Sequence, residues 1–181
     1  MAAEDQETID RRLIQLDGTE KKENLGANAI LGVSLAVARA AANAGQVPLY
    51  RYLGSLMNIG QPVLPLPMVN ILNGGVHASG SFDVQECMVI PVGFSCFREA
   101  LRCSVEVYQS LRSVLVERGL QTNVGDEGGF APPLSTNSHA GDLLMTAIVA
   151  AGYKAGEEVL LGLDVAASEL YTGGNYLLAC E

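Results

Sequence analysis

The period of the apolar positions changes along this chain, and each change marks an element. Residues 1–24 are mostly polar, with Ile9, Leu13, Ile14 and Leu16 spaced as one short helix ahead of an Asp17-Gly18 turn. From Asn28 to Ala44 the run is dominated by Ala and Leu, and Ile30, Val33, Val37 and Ala41 give one buried face. Small residues nearly all round this helix predict close packing on both sides, with Asn28 as its cap and Gly45 as its end. Pro48–Tyr52 begins a second short helix or turn. Pro62, Pro65 and Pro67 then resist a helix and predict a loop. Met68–Leu72 reads as a strand that runs into a glycine-rich loop, 73–80, carrying His77. A second strand spans Asp83–Pro91, and its alternation puts Glu86 on the same face as Val84, Met88 and Ile90. Ser95 opens the longest helix, with a stripe of Phe97, Leu101, Val105, Tyr108, Leu111 and Leu115 that Gly119 stops. Residues 138–152 form another helix. Val159–Ala166 is an apolar run with one charge, Asp164, and reads as a buried parallel strand.

The order after residue 60 is therefore strand, strand, helix, a strand-like stretch near 123–130, helix, strand. That is an α/β pattern. His77, Glu86, Asp126, Glu127 and Asp164 fall where strands end, the usual place for a site in a barrel or open α/β sheet.

Composition narrows the class. With 49% hydrophobic and 17% charged residues over 181 positions, the chain is not a disordered one. A net charge of -9 argues against nucleic acid or an anionic membrane surface as partner. Cys87, Cys96, Cys103 and Cys180 show no CxxC spacing, and the acidic start (Glu4, Asp5, Glu7) has no apolar core, so reduced thiols and a cytoplasmic setting are expected. No apolar run is expected to span a membrane, because Arg39 and Asn43 interrupt the longest.

The candidate chemistry centres on Asn123-Val124-Gly125-Asp126-Glu127-Gly128-Gly129-Phe130. Two adjacent carboxylates in so tight a turn repel each other unless a cation, a donor or a proton is shared. The stretch suits an acid/base site or a metal site, and equally an ordinary surface turn. Glu86 is a rim residue unless a cation or donor meets it. Asp164 suits a metal ligand or catalytic group at a strand end, or a cap for the helix that follows.

Taken together, these segments resemble the enolase family. Leu25–Ala36 is similar to its signature helix, and Asn70–Ala78, Val84-Gln85-Glu86, Val124–Pro132 and Leu163–Glu169 resemble further enolase segments in the family's order. The resemblance implies a partial enolase-type α/β (TIM-like) barrel over 61–181, preceded by the helical end of a capping domain over 1–60. It implies reversible dehydration of 2-phosphoglycerate to phosphoenolpyruvate, a carbon–oxygen lyase reaction (phosphopyruvate hydratase) with Mg2+, in a homodimeric enzyme. By motif, Glu127 matches the proton donor to the departing hydroxyl. Gln85 and Glu86 match the substrate-contacting pair, His77 the histidine of the mobile loop, and Asp164 the first magnesium carboxylate.

The chain also departs from the family. Roughly 115 residues follow Pro67, where a full barrel takes roughly 250. The family's general base is a lysine on a later strand, and here the lysines are Lys21, Lys22 and Lys154, none suitably placed in the pattern. Two further metal carboxylates are missing, and Cys87 stands where an aromatic is usual. Two expectations follow. Either this is lyase sequence that is inactive alone, or it is a non-catalytic enolase-like protein that associates with full-length enolase.

Overall fold

The structure is a computed structural model that describes residues 2–78 and 80–180. They divide into two compact units between Val63 and Leu64. The first is helical: α1 (Gln6–Asp17), α2 (Ala27–Ala44) and α3 (Leu49–Leu56). Asp5 caps α1 by accepting from the Thr8 amide at 3.2 Å, and Gly18 ends it in the left-handed region. Gln6 ties α1 to α2 through the Ser34 hydroxyl at 3.0 Å.

Two expectations for α2 fail. Its cap position is Gly26 without a side-chain bond, because the helix starts one residue before Asn28. Only Ala38, Ala41 and Ala42 are buried, whereas Leu31, Val33 and Leu35 are about half exposed. Within this unit α2 packs on α1 and α3, which cover one stripe of it rather than both sides. Its 18 residues also reach the length and mean hydropathy of a membrane span, contrary to the reading of Arg39 and Asn43 as interruptions. One charge in a run this rich in Ala, Leu and Val does not pull the mean down. A core helix of a water-soluble domain passes the same test.

The second unit holds β1 (Val69–Asn73), a 3-10 turn (Gly75–His77), β2 (Glu86–Ile90), α4 (Phe97–Glu117), α5 (Asn137–Ala150), β3 (Leu160–Asp164), α6 (Ala167–Leu170) and the hairpin β4 (Tyr171–Thr172) and β5 (Asn175–Tyr176). The sheet order is β1-β2-β3, with β2 antiparallel to both neighbours. Among the described residues the three strands make an open α/β sheet and no closed barrel.

β3 is thus not the buried parallel strand its composition predicts. It pairs antiparallel with β2, and Leu160, Leu163 and Asp164 are exposed. An all-apolar strand indicates cover on both faces, and the described residues leave β3 at the sheet edge. The buried stripe of α4 is also rotated from the expected one. Leu111 and Leu115 are buried with Ala100, Cys103, Val107 and Val114, while Leu101 and Val105 face out. Small residues such as Ala100, Cys103 and Ser104 admit close packing, and they carry less weight in an apolar count than Leu or Val. α4 and α5 pack on each other and, with Phe82, Cys87 and Val89, form one core. Each fully buried Leu or Val there contributes about 1.5–3 kcal/mol.

All four cysteines are free thiols. Burial pushes the Cys87 thiol up to about 12 and the Cys103 thiol up to about 11. A thiol reagent applied near the ordinary thiol pKa of about 8.5 is therefore expected to label exposed Cys96 at once. Cys87 and Cys103 should react only when the chain unfolds. Fast labelling of Cys87 in the folded protein would show that this core does not form.

Candidate active site

The strand directions assemble the site. The sequence pattern puts Glu86 among residues that end strands, yet it begins β2. Because β2 runs opposite to its neighbours, its first residue lies at the same edge as the last residues of β1 and β3. Glu86 stands opposite Asn73 on one side and opposite Asp164 on the other.

The motif stretch folds as a small hairpin. Val124 bridges Phe130, the Ala131 amide donates to the Asn123 carbonyl, and the Gly128 amide donates back to Gly125 at 3.0 Å. Asp126 and Glu127 occupy the exposed tip. The hairpin is fastened to β1: the Phe130 amide donates to the Ile71 carbonyl at 3.0 Å, and the Asn73 amide to the Phe130 carbonyl at 2.8 Å. From the other side, Tyr108 of α4 donates to the Gly128 carbonyl at 3.0 Å and stacks on Phe130 with centroids 4.4 Å apart.

Glu127 does not share its charge with Asp126. Its carboxyl group stands beside that of Glu86. It also accepts from Asn70 Nδ2 at 3.1 Å, and its Oε1 lies 3.9 Å from His77 Nε2. Two carboxyl groups at hydrogen-bond range cannot both be ionised cheaply. The Glu86 carboxyl is accordingly raised above its ordinary value, by the hydrogen bond to Glu127 first, then by burial and by the charges of Glu127 and Asp164. His77 acts in the opposite direction.

Asp164 ends β3, and its Oδ1 accepts from the Ala166 amide at 3.0 Å. It does not cap α6, whose first turn has no side-chain cap. Gln85 is placed elsewhere. It lines a shallow cavity of about 240 Å³ with Gly75, Val76, Asp83, Val165 and Glu169, and neither Glu86 nor Glu127 lines that cavity. Among the described residues no three of His, Cys, Asp and Glu converge as a metal site. Magnesium prefers six oxygen ligands in octahedral array. Asp164 offers one carboxylate, and the Glu86 beside it is biased toward its neutral form. The described residues do not make up a magnesium site.

Sequence reasoning did not single out Asn70, Asn73 or Tyr108. Tyr108 was legible only as part of a helical stripe, and the two asparagines only as polar positions around a strand.

An α/β sheet with two glutamates, a histidine and an aspartate gathered at one edge defines an acidic site of the kind α/β-barrel proteins carry at their strand ends. The chain belongs to the enolase family. Residues 61–181 match the enolase C-terminal TIM barrel domain, and residues 1–53 match the enolase N-terminal domain.

Proposed function

We propose that this chain carries the proton-donating side of an enolase site, for the reversible dehydration of 2-phosphoglycerate to phosphoenolpyruvate, and that it does not turn substrate over by itself. The observation that carries the first half is the gathering of Glu127 with Asn70 and His77 at the sheet edge where Glu86 pairs with Asp164. A carboxyl group positioned by neighbouring side chains at a strand edge is suited to hand a proton to a departing hydroxyl. Glu127, at the exposed tip of its hairpin, makes the transfer, with Glu86 as its carboxyl neighbour at the same edge. His77 stands at the same carboxylate. Gln85, the other member of the substrate-contacting pair in the resemblance, lines the neighbouring cavity rather than the edge that holds Glu127. Asp164 would offer a magnesium ion one oxygen ligand, and the described residues do not supply the rest.

The second half rests on the lysines. Lys154 precedes β3, at the end opposite Asp164, and its ammonium lies 3.5 Å from Glu157. Lys21 and Lys22 belong to the helical unit, where Lys22 donates to the Thr19 and Glu20 carbonyls. No lysine of the second unit is placed to abstract the proton next to the substrate carboxylate. The purified chain is expected to show no dehydration of 2-phosphoglycerate. Adding a polypeptide that supplies the proton-abstracting amine should produce turnover, which Glu127→Gln should reduce by roughly 100-fold or more. Turnover by the chain alone, or complemented turnover indifferent to Glu127→Gln, would overturn the respective half.

A second reading, association with intact enolase subunits, is favoured by the β3 edge. Its backbone pairs on one side only among the described residues, and Leu163 is 59% exposed there. Co-purification with intact enolase tests it. The free thiols agree with a cytoplasmic setting for either reading.

A further inference from the structure

We infer that Asn70 is a positioning residue for Glu127, and that a bulge in β1 exists to bring it there. This rests on the reading of Glu127 as the proton donor and adds what holds that donor in place.

In a regular strand, residues 70 and 73 point to opposite faces. Here the register slips: Asn70 pairs with Met88, but Leu72 pairs with Cys87 and Asn73 with Glu86. Two steps on β1 match one step on β2, which is a β-bulge around Ile71. The parity of the strand changes across it, so Asn70 and Asn73 arrive on the same side. Their positions show it. A Cβ on Gly129 would lie 2.2 Å from Asn73 Oδ1 and 3.0 Å from Asn70 Oδ1, so both amides converge on the back of the Glu127 hairpin. The Ile71 carbonyl released at the bulge is the one that accepts from Phe130 and fastens that hairpin to β1.

The orientation of the Asn70 amide follows from its neighbours. The amide NH2 is the donating end of the side chain, and it is the end that faces Glu127. Nδ2 donates to Oε2 at 3.1 Å, while Oδ1 is buried against Gly129 without a partner. That leaves Oε1 as the oxygen turned toward His77. Glu127 sits on an exposed turn and would otherwise sample several rotamers. One bond to a backbone-anchored amide, whose own movement Gly129 and Asn73 restrict, selects one of them.

The test reads side-chain order by NMR and needs no turnover, so it fails or succeeds independently of the acid assignment. In the parent chain, the Hα–Hβ couplings of Glu127 should be unequal, as for a single rotamer. In Asn70→Ala, and in Asn70→Asp, which keeps the size and loses the donor, they should average. The Phe130 and Asn73 amides should keep their exchange protection in both variants. Glu127→Ala, a change on an exposed turn, provides a second reading, and one side-chain amide proton of Asn70 should lose its downfield shift. Parent-like couplings in both Asn70 variants would overturn the inference. So would averaging that appears only together with lost protection at Phe130 and Asn73, or an Asn70 amide indifferent to Glu127→Ala.

Discussion

Gly129→Ala is expected to destabilise the chain by about 3 kcal/mol, the upper part of the range for forcing a methyl group into a filled interior. The added carbon would lie 2.2 Å from Asn73 Oδ1 and 3.0 Å from the Leu72 backbone nitrogen. Asn73 is fully buried and its amide nitrogen is committed toward the Gln85 carbonyl, so it has nowhere to swing. The strain must instead part the hairpin from β1, and with it the bonds from Phe130 to Ile71 and from Asn73 to Phe130. Gly128→Ala is the control. Gly128 has φ +84 and no atom within reach of an added carbon, so its cost is conformational alone, about 1–2 kcal/mol. Urea unfolding of the two variants should rank Gly129→Ala well below Gly128→Ala, and Glu127 should lose its single rotamer in the former. Equal midpoints would show that the hairpin does not rest on β1 as described.

What was legible in the sequence was local. The periods marked α4 and α5 within a few residues, and the strands β1, β2 and β3 near their observed positions. His77, Glu86, Glu127 and Asp164 were singled out as polar residues at element ends, and the fold places them at one sheet edge. What was not legible depends on partners distant in sequence. Glu86 reads alike whether its strand runs up or down, and only the pairing with β1 and β3 turns the start of β2 into the working edge. The bulge at Ile71 leaves no mark in Met-Val-Asn-Ile-Leu, so Asn70 carried no signal. In α4, Leu101 and Val105 look as apolar as Leu111 and Leu115. The choice between the two faces is made by the packing of α4 on α5, which buries the face that carries Cys103 and Ser104. Asp83 read as the first residue of a strand, and its contacts arise from residues roughly fifty and a hundred positions later.

Those contacts make Asp83→Asn the other large effect, an expected loss of about 2–3 kcal/mol, since buried donors that lose a charged acceptor are left unsatisfied. Asp83 is 9% exposed. Its carboxylate accepts from Asn137 Nδ2 at 3.0 Å, from the Ala179 amide at 2.9 Å and from the Cys180 amide at 3.0 Å. Asn137 returns the contact by accepting from the Asp83 amide at 2.8 Å. One residue away, Phe82 is fully buried and Ser81 donates to the Pro132 carbonyl at 2.6 Å. The loop that carries His77 is therefore pinned at its far end. Burial works to raise the Asp83 carboxyl, but the donors from Asn137, Ala179 and Cys180 outweigh it and hold the group below its ordinary value. A carboxyl lowered by folding stabilises fully above its unfolded pKa of about 4, and that contribution disappears as pH falls through the lower folded value. Parent and Asp83→Asn chains should thus differ most near neutral pH and converge in acid, below about pH 4. The variant should also release residues 177–180 to rapid amide exchange. A constant difference in unfolding free energy from neutral to acid pH would mean that the charge of Asp83 is not what holds the segment.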